Sequence, residues 1–117
     1  MKILILDDDE LSVEMMETLL ELNGSEVHTF TNPAAAIDSI KTTEYDLILT
    51  DFMMPGMNGA AFIDTIKDYI SKSRVAFTTA YMKDLFGGNT ESGRKIDRIF
   101  VKPINVDELI EYVNSIK

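Results

Sequence analysis

Cysteine is absent from this 117-residue chain, so it can hold neither a disulfide framework nor a thiolate-bound metal. That absence fits a reducing setting, and a cytoplasmic location is expected. Basic residues are scarce: 11 Lys and Arg stand against 20 Asp and Glu, a formal net charge of −9. Gripping nucleic acid without regard to sequence needs a Lys/Arg surface to neutralise phosphates, so no direct nucleic-acid partner is expected. The same charge repels anionic membranes. No apolar run approaches the roughly 18 residues of a membrane span, and no charged-then-apolar leader opens the chain, so membrane insertion is not expected either. Histidine occurs once, as His28. It lies on an alternating stretch and reads as an exposed or structural residue, not as a phosphoacceptor.

What is present is a core. Hydrophobic residues make up 45% of the chain, enough for one buried core at this length. Residues 1–117 are therefore read as a single domain with no linker, internal repeat or low-complexity tract. Short apolar runs alternate with amphipathic stretches, the pattern of stacked βαβ units. Strands are predicted at residues 2–6, 26–30, 46–50, 74–78 and 97–101. The second alternates apolar and polar, as an edge strand does, and the third is almost wholly apolar, as a central one is.

Between the strands, helices are predicted at residues 9–22, 33–41, 59–70 and 105–115. In the first, Leu11, Met15, Leu19 and Leu22 recur at helical spacing and are assigned to the core, with Glu10, Glu14, Glu17 and Glu21 facing water. Asn32-Pro33 is a capping residue followed by Pro at the first helical position. In the third, Phe62, Ile63, Ile66 and Ile70 point inward. The stretch from Met82 to Gly93 reads as a short or irregular helix: it holds Gly87, Gly88 and Gly93, each costing roughly 1 kcal/mol relative to Ala in a helix. Parallel strands with right-handed crossovers give an α/β domain with a five-stranded sheet and helices on both faces.

Polar residues follow the strands in a telling way. Asp7-Asp8 close the first, Asp51 closes the third, Thr79 follows the fourth, and Lys102-Pro103 closes the last. In an open parallel sheet, ligands bind outside the carboxyl ends of the strands. If these strands are neighbours, three carboxylates and one ammonium meet in one pocket. That set suits a hard cation such as Mg²⁺ plus a phosphoryl group, with one Asp as nucleophile. Asp51 is the residue placed to attack phosphorus in line. Met53 has only its backbone carbonyl to offer a metal, Lys102 a point charge for a phosphoryl oxygen, and Thr79 a hydroxyl. Pro55-Gly56 and Asn58-Gly59 are turn dipeptides that fix the loop after Asp51. Asp9 is the natural cap of the first helix.

These residues resemble the receiver domain of two-component response regulators. The resemblance runs the length of the chain. It rests on Ile5-Leu6-Asp7-Asp8-Asp9, on Asp51 within Asp-Phe-Met-Met-Pro-Gly-Met-Asn-Gly, on Thr79-Ala80 and on Lys102-Pro103. It implies a flavodoxin-like three-layer fold with strand order 2-1-3-4-5. It further implies that Asp51 is the phosphoacceptor, that Asp7, Asp8, Asp51 and the Met53 carbonyl bind Mg²⁺, and that Thr79 and Lys102 contact the phosphoryl group. The implied partners are a sensor histidine kinase or a histidine phosphotransfer protein, and a downstream protein target. Catalysis is confined to the receiver's own phosphorylation and dephosphorylation.

Two positions depart from the family pattern. Receivers usually carry Tyr or Phe three residues before the Lys, where this chain has Ile99. Phe100 has the opposite parity, so it points to the other side of the sheet and cannot substitute. The second departure is the glycine-rich stretch at 82–95, expected to signal by becoming ordered. Two alternatives stand beside the receiver reading. One is a degenerate receiver that binds partners without phosphorylation. The other rests on Asp7-Asp8-Asp9-Glu10-Leu11, which also resembles the motif of haloacid-dehalogenase-like phosphatases and would make Asp7 the nucleophile. It leaves the Asp51 loop unexplained.

Overall fold

The computed structural model describes residues 1–80 and 96–117. Its described elements run β1 (Lys2–Leu6), α1 (Glu10–Leu22), β2 (Glu26–Phe30), α2 (Pro33–Thr42), β3 (Leu47–Asp51), α3 (Gly59–Ile66), β4 (Arg74–Thr79), β5 (Arg98–Val101) and α4 (Val106–Ile116). All the strands pair in parallel, in the order β2-β1-β3-β4-β5. The doubly wound sheet and its strand order are therefore as the sequence implied. The irregular helix expected at 82–95, and the signalling role attached to it, lie outside the described residues.

Each helix start has a side-chain reason. Asp9 caps α1 by accepting from the Leu11 amide at 3.1 Å and the Ser12 hydroxyl at 3.0 Å. Asn32 accepts from the Ala34 amide at 2.8 Å, and Pro33 occupies the first turn. Asn105 caps α4 through the Glu108 amide at 3.1 Å. These caps satisfy amides that the first turn leaves without partners. The third helix ends sooner than its pattern indicated: α3 stops at Ile66 and tightens into a 3-10 turn over Lys67–Tyr69.

Alternation along the strands splits the core in two. One side of the sheet joins Leu4, Leu6, Ile48, Val75 and Phe77 to Ala36 and Ile40 of α2 and to Phe62, Ile63 and Ile66 of α3. The other joins Ile3, Ile5, Leu47, Leu49, Ala76 and Phe100 to Val13, Met16 and Leu20 of α1 and to Leu109, Tyr112 and Val113 of α4. Ile99 packs against the first side and Phe100 against the second, as their parity required.

The assignment of α1's inner face is overturned. Val13, Met16 and Leu20 are the buried residues, whereas Leu11 is 77% and Leu22 81% exposed. The apolar arc of this helix is wider than the strip that the sheet and α4 cover. At about 100° per residue, Leu11, Met15 and Leu22 form one edge of that arc, and the sheet takes the other.

Candidate functional site

The sheet register brings the expected residues to one edge. β1 and β3 are adjacent at the centre, so Asp7, Asp8 and Asp51 converge, and one carboxylate oxygen from each lies within 4.8 Å of the others. Asp7 is fully buried and Asp51 is 5% exposed, while Asp8 is exposed. Lys102 reaches back from the end of β5. Its ammonium donates to Asp7 Oδ2 at 3.0 Å and to Asp51 Oδ2 at 3.4 Å. The other oxygen of Asp7 accepts from the Asp9 amide at 2.9 Å, which turns the chain so that Asp8 can face the same pocket as Asp7.

Charge is unevenly balanced here, since among the described residues two buried carboxylates share one ammonium. Burial first, then the Asp7 charge, push the Asp51 carboxyl from 3.8 up to about 6, against the pull of Lys102 and the Met53 amide. Burial of the Lys102 ammonium works against its charge. The bond and charge of Asp7, then those of Asp51, outweigh it and hold Lys102 above the ordinary lysine value. Three oxygen donors around an under-compensated negative charge are the chemistry a hard divalent cation needs, so the residues present fit Mg²⁺.

Backbone packing holds Asp51 in place. Gly59, at the start of α3, sits so close beneath the site that an added Cβ would lie 2.9 Å from the Asp51 carbonyl oxygen and 3.0 Å from Phe52 Cα. Its amide donates to the Phe52 carbonyl at 2.6 Å. Asn58, which the sequence offered only as a turn residue, also caps α3 through the Ala61 amide at 2.8 Å. Gly56 adopts a φ of +80°, the left-handed conformation that glycine tolerates without strain.

Thr79 closes β4 and is fully buried, and its carbonyl accepts from the Lys102 amide at 2.7 Å. The ends of β4 and β5 are thereby joined beside Asp51. Met53 is 54% exposed at the mouth. Next to Lys102 lies a groove of about 270 Å³ lined by Leu11, Ser12, Met15, Pro103 and Ile104. Nothing in the sequence pattern separated Leu11 and Met15 from the core, so this groove was not anticipated.

A family model described as the response regulator receiver domain matches residues 3–114. The chain is 35% identical to the transcriptional regulatory protein CpxR homolog of Haemophilus influenzae, with 98% of this chain and 49% of that protein covered. It is 30% identical to the sensor histidine kinase GacS of Pseudomonas protegens, covering 96% of this chain and 13% of that one. The chain thus spans about half the length, or less, of the curated relatives it matches. Among solved structures, the response regulator TrrA of Thermotoga maritima in complex with Mg²⁺-BeF superposes with a TM-score of 0.85 at 28% identity, over 99% of this chain and 98% of that one.

Proposed function

The chain belongs to the response regulator receiver domain family, and from that premise we propose that it is the phosphoacceptor of a two-component phosphorelay. Asp51 takes the phosphoryl group from a phosphohistidine donor. The observation that carries this reading is Asp51 itself, nearly buried, 3.4 Å from the Lys102 ammonium and grouped with Asp7 and Asp8.

In the transfer, a carboxylate oxygen of Asp51 attacks phosphorus in line. The phosphorus–nitrogen bond to the donor imidazole breaks, its electron pair returns to the ring nitrogen, and an acyl phosphate remains on Asp51. Lys102 stays near the transferred group and holds one phosphoryl oxygen, and Thr79 donates its hydroxyl to another. Asp7, Asp8, Asp51 and the Met53 carbonyl hold Mg²⁺, which when bound offsets the repulsion between carboxylate and phosphoryl oxygens. The same residues assist water in hydrolysing the acyl phosphate, so the protein acts on itself and turns over no separate substrate.

Asp7 is the weaker candidate for nucleophile. Its side chain is fully buried, whereas Asp51 keeps some exposure, and the Lys102 ammonium lies closer to Asp7, at 3.0 Å against 3.4 Å. The donor is a sensor histidine kinase or a histidine phosphotransfer protein, which must cover the mouth of the site to present its imidazole. The apolar groove beside Lys102 gives such a donor a surface to rest on. Such donors act in the cytoplasm, and among the described residues no helix is long and apolar enough to cross a membrane.

The test is intact mass after incubation with acetyl phosphate and Mg²⁺. Wild-type protein should gain a single phosphoryl adduct that requires the ion, and Asp51→Asn should gain none. An adduct that survives in Asp51→Asn would move the nucleophile elsewhere. Wild-type protein without an adduct would favour a binding module that works without phosphorylation.

A further inference from the structure

One polar side chain beside the site has no role in the reading above. Thr78 is 1% exposed, and its hydroxyl finds no hydrogen-bond partner among the described residues. Buried hydroxyls are nearly always paired, so an orphan calls for a physical account. The sheet register supplies one. Thr78 stands directly opposite Asp51 on β3 and opposite Phe100 on β5. Directly paired residues of neighbouring strands project from the same face of a sheet. Thr78 therefore shares the face of Asp51, one strand away, with the Phe100 ring on its far side. Ala76, Leu49 and Phe100 belong to the apolar core on that same face.

Resting on the phosphoacceptor reading, we propose that Thr78 is a positioning residue for Asp51, donating its hydroxyl to the carboxylate when the ion is bound. Without the ion, the Asp51 carboxylate leans on Lys102, which is bonded to its Oδ2, and the Thr78 hydroxyl is left over. With one Asp51 oxygen committed to the ion beside Asp7 and Asp8, the other would be left to accept from the Thr78 hydroxyl on the neighbouring strand. A hydroxyl that is unpaired in one state and bonded in the other favours the second state. Thr78 thereby couples ion binding to the nucleophile's orientation, and it does so from outside the ligand set.

The test uses Thr78→Val, which keeps the shape and removes the hydroxyl, and Thr78→Ser, which keeps the hydroxyl. Mg²⁺ affinity is read by calorimetric titration, and the stability of the ion-free protein by urea unfolding. Thr78→Val should bind Mg²⁺ about 3- to 10-fold more weakly, the loss of one charge-assisted hydrogen bond. Its ion-free stability should be equal to or above wild type, because the orphan hydroxyl is gone. Thr78→Ser should bind Mg²⁺ as wild type does. A hydroxyl that is merely a packing defect would change stability alike with and without the ion, leaving the affinity unmoved, and that result overturns the proposal. So would a Thr78→Ser as weak as Thr78→Val, which would assign the effect to the methyl group. Wild-type protein that binds no Mg²⁺ would remove the phosphoacceptor reading and Thr78's role with it, whereas normal wild-type binding beside an indifferent Thr78→Val removes Thr78's role alone. Should Thr78→Val fold poorly, Thr78→Ala deletes the same hydroxyl and gives the same comparison.

Discussion

Two polar clusters are built into this sheet on opposite faces, and they obey different rules. At the carboxyl edge, Asp7 and Asp51 share the Lys102 ammonium, and the Asp51 carboxyl is pushed up to about 6. On the other face, His28 of β2 contacts the Tyr45 hydroxyl at 2.8 Å through Nδ1 and Glu26 at 2.8 Å through Nε2. Tyr45 in turn meets the Ser39 hydroxyl at 2.6 Å, so each member of that chain has a partner. The first cluster is left electrostatically unresolved and suited to receive charge. The second is closed, and it fastens β2, α2 and the segment before β3 together. Perturbed titration and unmet pairing mark the candidate site, and satisfaction marks the structural cluster.

The most severe way to probe this contrast is Lys102→Met. It leaves two buried carboxylates facing each other, and removing one partner of a buried ion pair costs about 3 kcal/mol. Urea unfolding at pH 7.5 should show that loss. At pH 5, where Asp51 takes up a proton, the loss should shrink. An equal loss at both pH values would mean that packing of the lysine stem is responsible, not repulsion.

Asp51→Asn should move stability the other way. A carboxyl whose folded value stands at about 6, above its unfolded value near 3.8, binds more protons folded than unfolded between those limits. The ion-free wild type therefore loses stability as pH rises from about 4 to about 6 and then levels off. Asn carries no such slope. At pH 7.5 the variant should be more stable by about 2 kcal/mol, with the gap closing toward pH 4. A variant less stable than wild type at pH 7.5 would erase the distinction between the two clusters.

How much of this was legible in the sequence depended on the kind of information involved. The strands and the site residues were readable because the strands that end at the site are short apolar runs followed by a charged or hydroxyl residue. Asp7, Asp8, Asp51, Thr79 and Lys102 fall where a parallel sheet collects them. The burial of α1 was not readable. Its apolar arc spans Leu11 through Val13 on the helical wheel, and only the angle at which it packs on the sheet selects Val13, Met16 and Leu20. Tyr45 was missed because its pairing with His28 joins elements 17 residues apart, and no local pattern encodes that. Thr78 looked like ordinary strand filler. Its oddity appears only when the register sets it opposite Asp51.

The smallest effect belongs to the closed cluster. Tyr45→Phe keeps the ring, which is 3% exposed and packs edge-on against His28 with centroids 5.4 Å apart. Only the hydroxyl is lost, along with its bonds to His28 and Ser39. His28 and Ser39 are partly exposed and can turn to water, so the cost should be that of one ordinary hydrogen bond, about 1 kcal/mol. Mg²⁺ affinity and labelling by acetyl phosphate should not change, because no member of this cluster touches Asp7, Asp51 or Lys102. A shift in Mg²⁺ affinity with Tyr45→Phe would show that the two faces of the sheet are energetically joined. The closed cluster would then belong to the candidate site itself and not to the scaffold that holds it.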